Sequence, residues 1–248
     1  MREASPCDAS SLRKKQMPSP EWLSRELPLV GEDGIEKLEN ASVLLVGAGG
    51  VGGYALEALV RAGVGKITVV DGDTVDITNL NRQLISLREN VGKLKADEAV
   101  RRVLSVNPGC RAVSVPRFIN SENAEEIISS ASPDFIVDAC DDTDAKLLLA
   151  LWAENHSVGI ISCMGTGNKL DPSLLRIEDI SKTSICPLAK SMRKKLRDAG
   201  VTKLPVVFST ETPAVRGTTP ASVSFVPAAA GILMASYVVR KIISSQNH

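Results

Sequence analysis

A glycine-rich run between Gly47 and Gly52 gives the first chemical signal in this sequence. The run Gly-Ala-Gly-Gly-Val-Gly follows a hydrophobic stretch and precedes apolar residues at helical spacing, so it predicts a strand-to-helix turn. Small residues at such a turn let a phosphate approach the free N–H groups of the helix N-terminus. Asp71 follows Gly52 by 19 residues, at the end of the next predicted strand, where a carboxylate can bind a ribose. The candidate nucleotide-binding residues in this part of the chain are therefore Gly47, Gly49, Gly50, Gly52 and Asp71.

Two basic residues beyond Asp71 favour a triphosphate over NAD as the ligand. Arg82 lies 11 residues after Asp71 and Lys95 lies 13 residues after Arg82, and Asn79 and Asn81 add amide donors. A hydride-transfer enzyme needs no cations over the phosphates, whereas a phosphate under attack gathers negative charge that cations stabilise. The alternative is that Arg82 and Lys95 only form ion pairs with surface acids. The protein would then be an NAD(P)-binding oxidoreductase or a non-catalytic nucleotide sensor.

A cluster of carboxylates completes the predicted cleft. The segment Asp138-Ala139-Cys140-Asp141-Asp142 follows the fourth predicted strand, at the edge where open α/β sheets bind ligands. A carboxylate in that place can hold Mg²⁺ beside a phosphate group. We therefore expect ATP as the nucleotide, with one carboxylate of this cluster, which includes Asp141 and Asp142, as the Mg²⁺ ligand.

Strands alternate with helices before and after these residues. This order predicts an α/β fold, Rossmann-like and doubly wound, with a mostly parallel sheet covered on both faces. The remainder of the chain, residues 166–248, is less regular and is expected to pack against the same sheet. The predicted strands cover 42–46, 66–70, 112–115, 134–138 and 159–162. The predicted helices cover 32–40, 51–62, about 121–130 and about 144–155, and a further helix has its apolar face over 96–104 and stops at Asn107-Pro108-Gly109.

The composition excludes several classes of protein. The chain has 248 residues with 29 basic and 29 acidic side chains, so its net charge gives no indication of nucleic-acid binding. Its five cysteines form no Cys-x-x-Cys pair, which argues against a zinc site, and their odd number suggests reduced thiols. Residues 1–20 lack the apolar core of a secretory signal. We therefore expect a cytoplasmic protein.

Three further segments each allow two interpretations. The basic run 190–197 predicts either a solvated helix face or a patch that binds nucleic-acid phosphates. The uncharged run 217–239 is interrupted by prolines and serines, and its strictly apolar part of 11 residues is short of a membrane span; we expect a buried or dimer-interface helix from about residue 227. Cys140 and Cys163 are expected in the core, although either could be a nucleophile, and Cys186 is expected to be the most exposed thiol.

The combined motifs resemble the ubiquitin-activating-type adenylating enzymes, the ThiF/MoeB/HesA-like family. The resemblance covers about residues 25–165. It implies a homodimer in which a carboxylate attacks Mg-ATP to give an acyl-adenylate. By the same resemblance Asp71 holds the ribose, Arg82 and Lys95 grip the phosphates, Asp141 binds Mg²⁺, and Arg25 reaches into the partner's site. The segments that carry it are Gly47–Gly52, Asp71 with Asp73, Asn79-Leu80-Asn81-Arg82-Gln83, Gly92-Lys93-Leu94-Lys95 and Asp141.

The second half resembles one branch of this family, whose members dehydrate and cyclise N6-threonylcarbamoyladenosine next to the tRNA anticodon. This resemblance implies tRNA as substrate, no DNA, no zinc, and a cysteine-desulfurase or sulfur-acceptor partner. It divides the chain into an expected disordered extension, 1–24, and one adenylation domain, 25–248, with its substrate and dimer contacts in 166–248. The open alternative is adenylation of the C-terminus of a sulfur-carrier or ubiquitin-like protein. The stretch 211–225 is shorter than the family pattern. The matching segments are 162–169, 171–172, 179–183, 187–190, 207–211 and 225–227.

Overall fold

One seven-stranded sheet organises the protein, in a computed structural model that describes residues 21–215 and 220–245. Its strand order is β3-β2-β1-β4-β5-β7-β6, and every neighbouring pair is parallel except β6 with β7. The predicted α/β fold with a mostly parallel sheet is confirmed. The strands are β1 Ser42–Val46, β2 Lys66–Val70, β3 Arg111–Val115, β4 Phe135–Asp138, β5 Gly159–Cys163, β6 Leu175–Asp179 and β7 Pro205–Ser209.

Seven α-helices cover the two faces of this sheet within the described residues. The strand β1 is buried along its whole length, as expected of a central strand with helices on both sides. The core on one side includes α2, α3 and α7, and the core on the other side includes α4 and α5. The helices are α1 Leu27–Asn40, α2 Gly52–Arg61, α3 Lys95–Val106, α4 Ala124–Ala131, α5 Thr143–His156, α6 Pro187–Asp198 and α7 Phe225–Ser244.

The C-terminal third is more regular than the sequence suggested. Besides packing against the sheet, it adds two strands to one edge of the sheet. The strand β7 pairs in parallel with the end of β5, and β6 then pairs antiparallel with β7. Their strand identity depends on pairing partners that lie far away in the sequence.

The helix α7 is the only described helix long and apolar enough to cross a membrane by length and composition. Its inner face packs on α2 and the sheet, with Val226, Ala230, Met234 and Val238 buried in the core. The close approach of α7 to α2 depends on Gly231, where a Cβ would lie 2.2 Å from the carbonyl oxygen of Val51. The prediction of a buried helix in this segment is confirmed for its described part; residues 216–219 lie outside the described residues.

The N-terminal boundary differs from the prediction. The helix α1 is interrupted at Gly31, whose φ of 72° is readily adopted only by glycine, and its part after Gly31 is the helix predicted over 32–40. The part that begins at Leu27 was not predicted. Before it, a short 3₁₀ turn covers Glu21–Leu23, and the Leu23 side chain is buried against Gly63. Packing therefore begins inside the segment 1–24 that was expected to be disordered, while its first 20 residues lie outside the described residues.

Candidate functional site

A cleft of about 330 Å³ opens at the carboxyl edge of strands β1, β2 and β4. Parallel strands end at the same edge of a sheet, so the loops that follow them meet there. The cleft brings together most of the residues singled out in the sequence. Those that line it are Gly47, Gly49, Gly50, Asp71, Asp73, Arg82, Gln83, Lys95, Asp141 and Asp142.

The glycine turn lines the cleft, and at Gly47 and Gly52 the backbone is packed too closely for a side chain. Gly47 has a φ of 90°, and a Cβ on it would lie 2.8 Å from the backbone of Ala139. Gly52 opens α2, and a Cβ on it would lie only 1.8 Å from the Gly47 carbonyl oxygen. Gly52 therefore does not line the cleft but keeps the turn tight, while Gly49 and Gly50 face the open space. The unpaired N–H groups at the start of α2 suit a phosphate.

Asp71 ties the glycine turn to the end of β2. Its carboxylate accepts a hydrogen bond from the Ala48 N–H at 2.7 Å and another from the Asp73 N–H at 2.9 Å. Burial raises the pKa of Asp71 above its usual value, and the two backbone hydrogen bonds oppose that rise. The carboxylate lies in the cleft wall, where its assignment to the ribose stays a prediction.

The two cations lie on one wall of the cleft. The Lys95 side chain is almost wholly buried, and its Nζ lies 2.9 Å from Oδ2 of Asp73, which itself lines the cleft. Arg82 donates hydrogen bonds to the Thr78 carbonyl oxygen at 3.0 Å and to Oδ1 of Asn81 at 2.9 Å. Both partners of Arg82 are neutral, so the described ion pairs do not balance its charge. Among the described ion pairs, the charge of Lys95 is therefore balanced by Asp73, whereas that of Arg82 is left for a ligand in the cleft.

The structure does not bring Asn79 and Asn81 into the cleft as amide donors. Oδ1 of Asn79 accepts a hydrogen bond from the Asp76 N–H at 3.0 Å, inside a short capped turn where Asn79 is buried. Nδ2 of Asn81 donates to the Ser222 carbonyl oxygen at 3.0 Å. These side chains shape the segment that presents Arg82. Gln83 does line the cleft, and its Oε1 accepts a hydrogen bond from Ser86.

Of the two neighbouring carboxylates, only Asp141 is free of a structural task in the described contacts. Asp142 caps α5 by accepting hydrogen bonds from the Asp144 and Ala145 N–H groups, each at 2.8 Å. No group of three or more His, Cys, Asp or Glu side chains in the described chain is placed to hold a metal ion by itself. A single exposed carboxylate suits Mg²⁺, which takes most of its ligands from water and from substrate phosphates.

Sequence reasoning missed part of the cleft wall. Arg117, Phe118 and Ile119 follow the end of β3 and line the cleft, and Phe118 leaves 62% of its surface exposed. Thr166 and Pro227 line it from the C-terminal portion. The rule that ligands bind at the carboxyl edge could have pointed to the residues after β3. Thr166 and Pro227 lie in the segments 162–169 and 225–227 that carry the resemblance, although neither residue was assigned to the cleft.

Other predicted residues lie outside the cleft. Arg25 is exposed at the turn before α1, and it does not line the cleft of its own chain. In the basic helix α6, Arg193 donates to the Thr183 backbone and side chain, and Lys195 contacts Thr143 and Asp144. These two cations are therefore occupied within the chain. The exposed basic residues of α6 are Lys190, Lys194 and Arg197.

The cysteine predictions were partly wrong. Cys186, expected to be the most exposed thiol, is only 5% exposed because its side chain packs in the core beneath the start of α6. Cys163 is buried as expected, and burial raises its pKa to about 12. Cys140 is half-buried at the cleft wall, where burial and then the Asp138 carboxylate raise its pKa. Both thiols are thus poor nucleophiles, in keeping with their expected core role.

Comparison with known proteins agrees with this arrangement. The ThiF family model matches residues 23–248. The chain is 38% identical over 239 residues to the tRNA threonylcarbamoyladenosine dehydratase of Bacillus subtilis, which spans 89% of this chain and 94% of that protein. The crystal structure of the Escherichia coli tRNA N6-threonylcarbamoyladenosine dehydratase in complex with ATP superposes with a TM-score of 0.84, at 33% identity, covering 88% of this chain and 92% of that one. A sulfur carrier protein adenylyltransferase of Thermus thermophilus is 44% identical over 123 residues, covering 50% of this chain and 45% of that protein.

Proposed function

We propose, from the premise that this chain belongs to the ThiF family, that it uses ATP to dehydrate threonylcarbamoyladenosine in tRNA to the cyclic form. The observation that carries this proposal is the extent of the similarity. The Bacillus subtilis dehydratase matches 89% of this chain, so the similarity extends beyond the ATP-binding portion into residues 166–248. The sulfur-carrier relative matches only half of the chain. An ATP-bound relative of the same fold supports ATP, rather than NAD, as the nucleotide.

The reaction begins with activation of a carboxylate. An oxygen of the threonyl carboxylate attacks the α-phosphorus of ATP, and the bond to pyrophosphate breaks. The acyl-adenylate and pyrophosphate result. A nitrogen of the modification then attacks the acyl carbon, the bond to the AMP oxygen breaks, and the nitrogen loses its proton. The nucleoside has lost one water in total, whose oxygen leaves with AMP.

The cleft residues suit this chemistry by their charges and positions. The N–H groups at the start of α2 and the cations Arg82 and Lys95 offer positive charge where the leaving pyrophosphate becomes more negative. Asp141 would hold Mg²⁺, which when bound neutralises phosphate charge. No protein thiol is needed, because the nitrogen that closes the ring belongs to the substrate. This accords with the raised pKa of Cys140.

The decisive experiment monitors the modified nucleoside. The protein is incubated with threonylcarbamoyl-modified tRNA and Mg-ATP. The tRNA is then digested to nucleosides, whose masses are measured by mass spectrometry. We expect loss of one water with the wild type and no product with Asp141→Ala. The matched control is Asp144→Ala, three residues further on, whose exposed carboxylate contacts Lys195 instead of the cleft; it should keep activity. No mass change with wild type that binds ATP would refute the proposal.

The alternative substrate is tested by pyrophosphate exchange. A sulfur-carrier or ubiquitin-like protein would make ATP–pyrophosphate exchange depend on its C-terminal glycine. Exchange that appears with such a protein, and not with modified tRNA, would favour the alternative.

The proposed active species is a homodimer in which Arg25 of one protomer serves the cleft of its partner. Two features support this: Arg25 is exposed away from its own cleft, and Leu29 on the same segment exposes 86% of its apolar surface. The variants Arg25→Ala and Asp141→Ala should each be inactive. After mixing and subunit exchange, about one quarter of wild-type activity should return, because each mixed dimer has one intact site. Light scattering that finds only monomers would contradict this.

The substrate also sets the proposed location and partners. We propose a cytoplasmic location, with which a tRNA substrate is consistent. A cysteine desulfurase or sulfur acceptor would need an accessible thiol, whereas Cys110, Cys163 and Cys186 are buried and Cys140 is half-buried with a raised pKa. The described cysteines therefore offer no exposed thiol to such a partner.

A further inference from the structure

A buried ion pair lies directly behind the cleft, between Lys146 and Asp138. Lys146 is 0% exposed, although lysine is almost never fully buried unless it is paired. Its Nζ lies 3.0 and 2.9 Å from the two carboxylate oxygens of Asp138, 3.2 Å from Oγ of Ser162 and 2.8 Å from the carbonyl oxygen of Cys163. Ser162 also donates a hydrogen bond to Asp138. The ammonium group therefore has more acceptors around it than protons to donate.

The pair spans the loop that carries Asp141. Asp138 is the last residue of β4, and Lys146 lies in the first turns of α5, so the contact joins the two ends of the loop 139–142. Asp138 also accepts a hydrogen bond from the Cys140 N–H at 3.3 Å within that loop. The loop in turn packs against the glycine turn, since a Cβ on Gly47 would meet the backbone of Ala139. A shift of this loop would therefore move both Asp141 and the glycine turn.

The same pair fixes a second cleft segment. The carbonyl oxygen of Cys163 is at the end of β5, three residues before Thr166, which lines the cleft. Lys146 thus links the carboxyl ends of β4 and β5 to the start of α5.

Stability alone does not explain this arrangement. Removing two charges from water costs several kcal/mol per ion, and apolar residues of similar size often stabilise a fold equally well or better. The position behind Asp141 gives the pair a geometric purpose instead. We propose that Lys146 is a positioning residue that holds the loop 139–142, and with it Asp141, in the orientation needed to bind Mg²⁺ with ATP. This inference rests on the proposed role of Asp141 in Mg-ATP binding.

The test separates positioning from stability by removing both charges together. In the double variant Asp138→Asn/Lys146→Met, the amide keeps an acceptor for Ser162 and Cys140, and neither partner is left as an unpaired buried charge. The affinity for ATP is measured by calorimetry with EDTA and with increasing Mg²⁺. We expect little change in EDTA and a half-saturating Mg²⁺ concentration raised at least about tenfold, as is typical when the support of a metal ligand is lost.

The matched control is the pair Glu57 and Arg102, which joins α2 to α3 away from the cleft. The double variant Glu57→Gln/Arg102→Met should leave the Mg²⁺ dependence of ATP binding unchanged, even where it lowers the melting temperature. If the Asp138→Asn/Lys146→Met protein does not fold, Ser162→Ala serves instead. It removes only the hydroxyl group that donates to Asp138, and it should give a smaller shift in the same direction.

The inference is overturned if the folded Asp138→Asn/Lys146→Met protein shows the same Mg²⁺ dependence of ATP affinity as wild type. It is also overturned if the ATP affinity of the wild type does not depend on Mg²⁺. The measurement uses ATP without tRNA. If the tRNA dehydration assay fails, the proposed function is refuted and the role of Lys146 in Mg-ATP binding still stands. If the Mg²⁺ dependence of ATP binding is unchanged in the variant, the role of Lys146 is refuted and the proposed function still stands.

Discussion

Replacing Lys95 with methionine should weaken ATP binding strongly while leaving the fold nearly as stable. Methionine fills the space of the lysine stem, which is buried, and removes only the ammonium group. The partner carboxylate of Asp73 is 54% exposed, so water can solvate it once the ammonium is gone. An ion pair of this half-exposed kind contributes at most about 1 kcal/mol to stability.

The loss in ATP affinity should be larger than the loss in stability. A hydrogen bond from a charged donor to a phosphate oxygen contributes about 1.5–3 kcal/mol, and Asp73 competes for the same ammonium. We therefore expect a loss of about 2 kcal/mol in binding, which is an increase of about 30-fold in Kd at about 1.4 kcal/mol per factor of ten.

Calorimetric titration of ATP in the presence of Mg²⁺ measures this effect. The matched control is Lys93→Met, two residues away, where the side chain is 56% exposed, lies 3.9 Å from Glu98 and does not line the cleft. The control should bind ATP within about twofold of wild type, as expected for a surface substitution. If folded Lys95→Met protein binds ATP as tightly as wild type, the assignment of Lys95 to the phosphates is wrong.

Three further predictions test the turn, the charges and the thiols. Gly52→Ala places a methyl group against the Gly47 carbonyl oxygen and should cost about 3 kcal/mol or more, which lowers the Tm by about 6–12 °C for a chain of this size. Burial raises the pKa of Glu57, but hydrogen bonds led by that from Arg102 outweigh it and leave the pKa below 4.5; the stability that wild type gains over Glu57→Gln should therefore be present above pH 4.5 and be lost as the pH falls below it. Because burial raises the pKa of Cys163 to about 12, its alkylation at pH 8 should be at least about 100-fold slower than in urea-unfolded protein.

Each of these has a control within the chain or the method. Gly109→Ala, where the nearest atom to a Cβ is a side-chain oxygen at 3.4 Å, should leave the Tm almost unchanged, and an equal loss at both glycines would contradict the steric argument. For Glu57, urea unfolding of both proteins across pH 3.5–7 gives the stability difference, and a constant difference would show that the ion pairs contribute nothing. Peptide mass spectrometry resolves the thiols one by one, and rapid native labelling of Cys163 would contradict its burial.

The order of strands and helices could be predicted from the sequence for the first two-thirds of the chain. The predicted bounds of β1 and β2 match the structure, because a central parallel strand is buried on both faces and is therefore mostly apolar. The helix α3 was recognisable from its apolar face and from its end before Asn107-Pro108. These signals are local, so they are present in the sequence itself.

The same logic located the cleft. Gly50, Asp71, Arg82, Lys95 and Asp141 are far apart in the chain, yet they share one cavity. They come together because loops after parallel strands meet at one edge of the sheet. Residue type and position after a strand were therefore enough to group them.

Only the tertiary structure decided which way the remaining side chains point. Asn79 and Asn81 have the same amide chemistry as a ligand-binding residue, but Asn79 is hydrogen-bonded within its own turn and Asn81 donates to the carbonyl oxygen of Ser222. Cys186 is buried because α6 packs over it, and β7 is a strand because β5 offers it an edge. Lys146 is buried because Asp138 and the end of β5 surround its ammonium group. Apart from the local turn that holds Asn79, these outcomes depend on the way separate elements pack together, and such packing leaves no periodic pattern in the sequence.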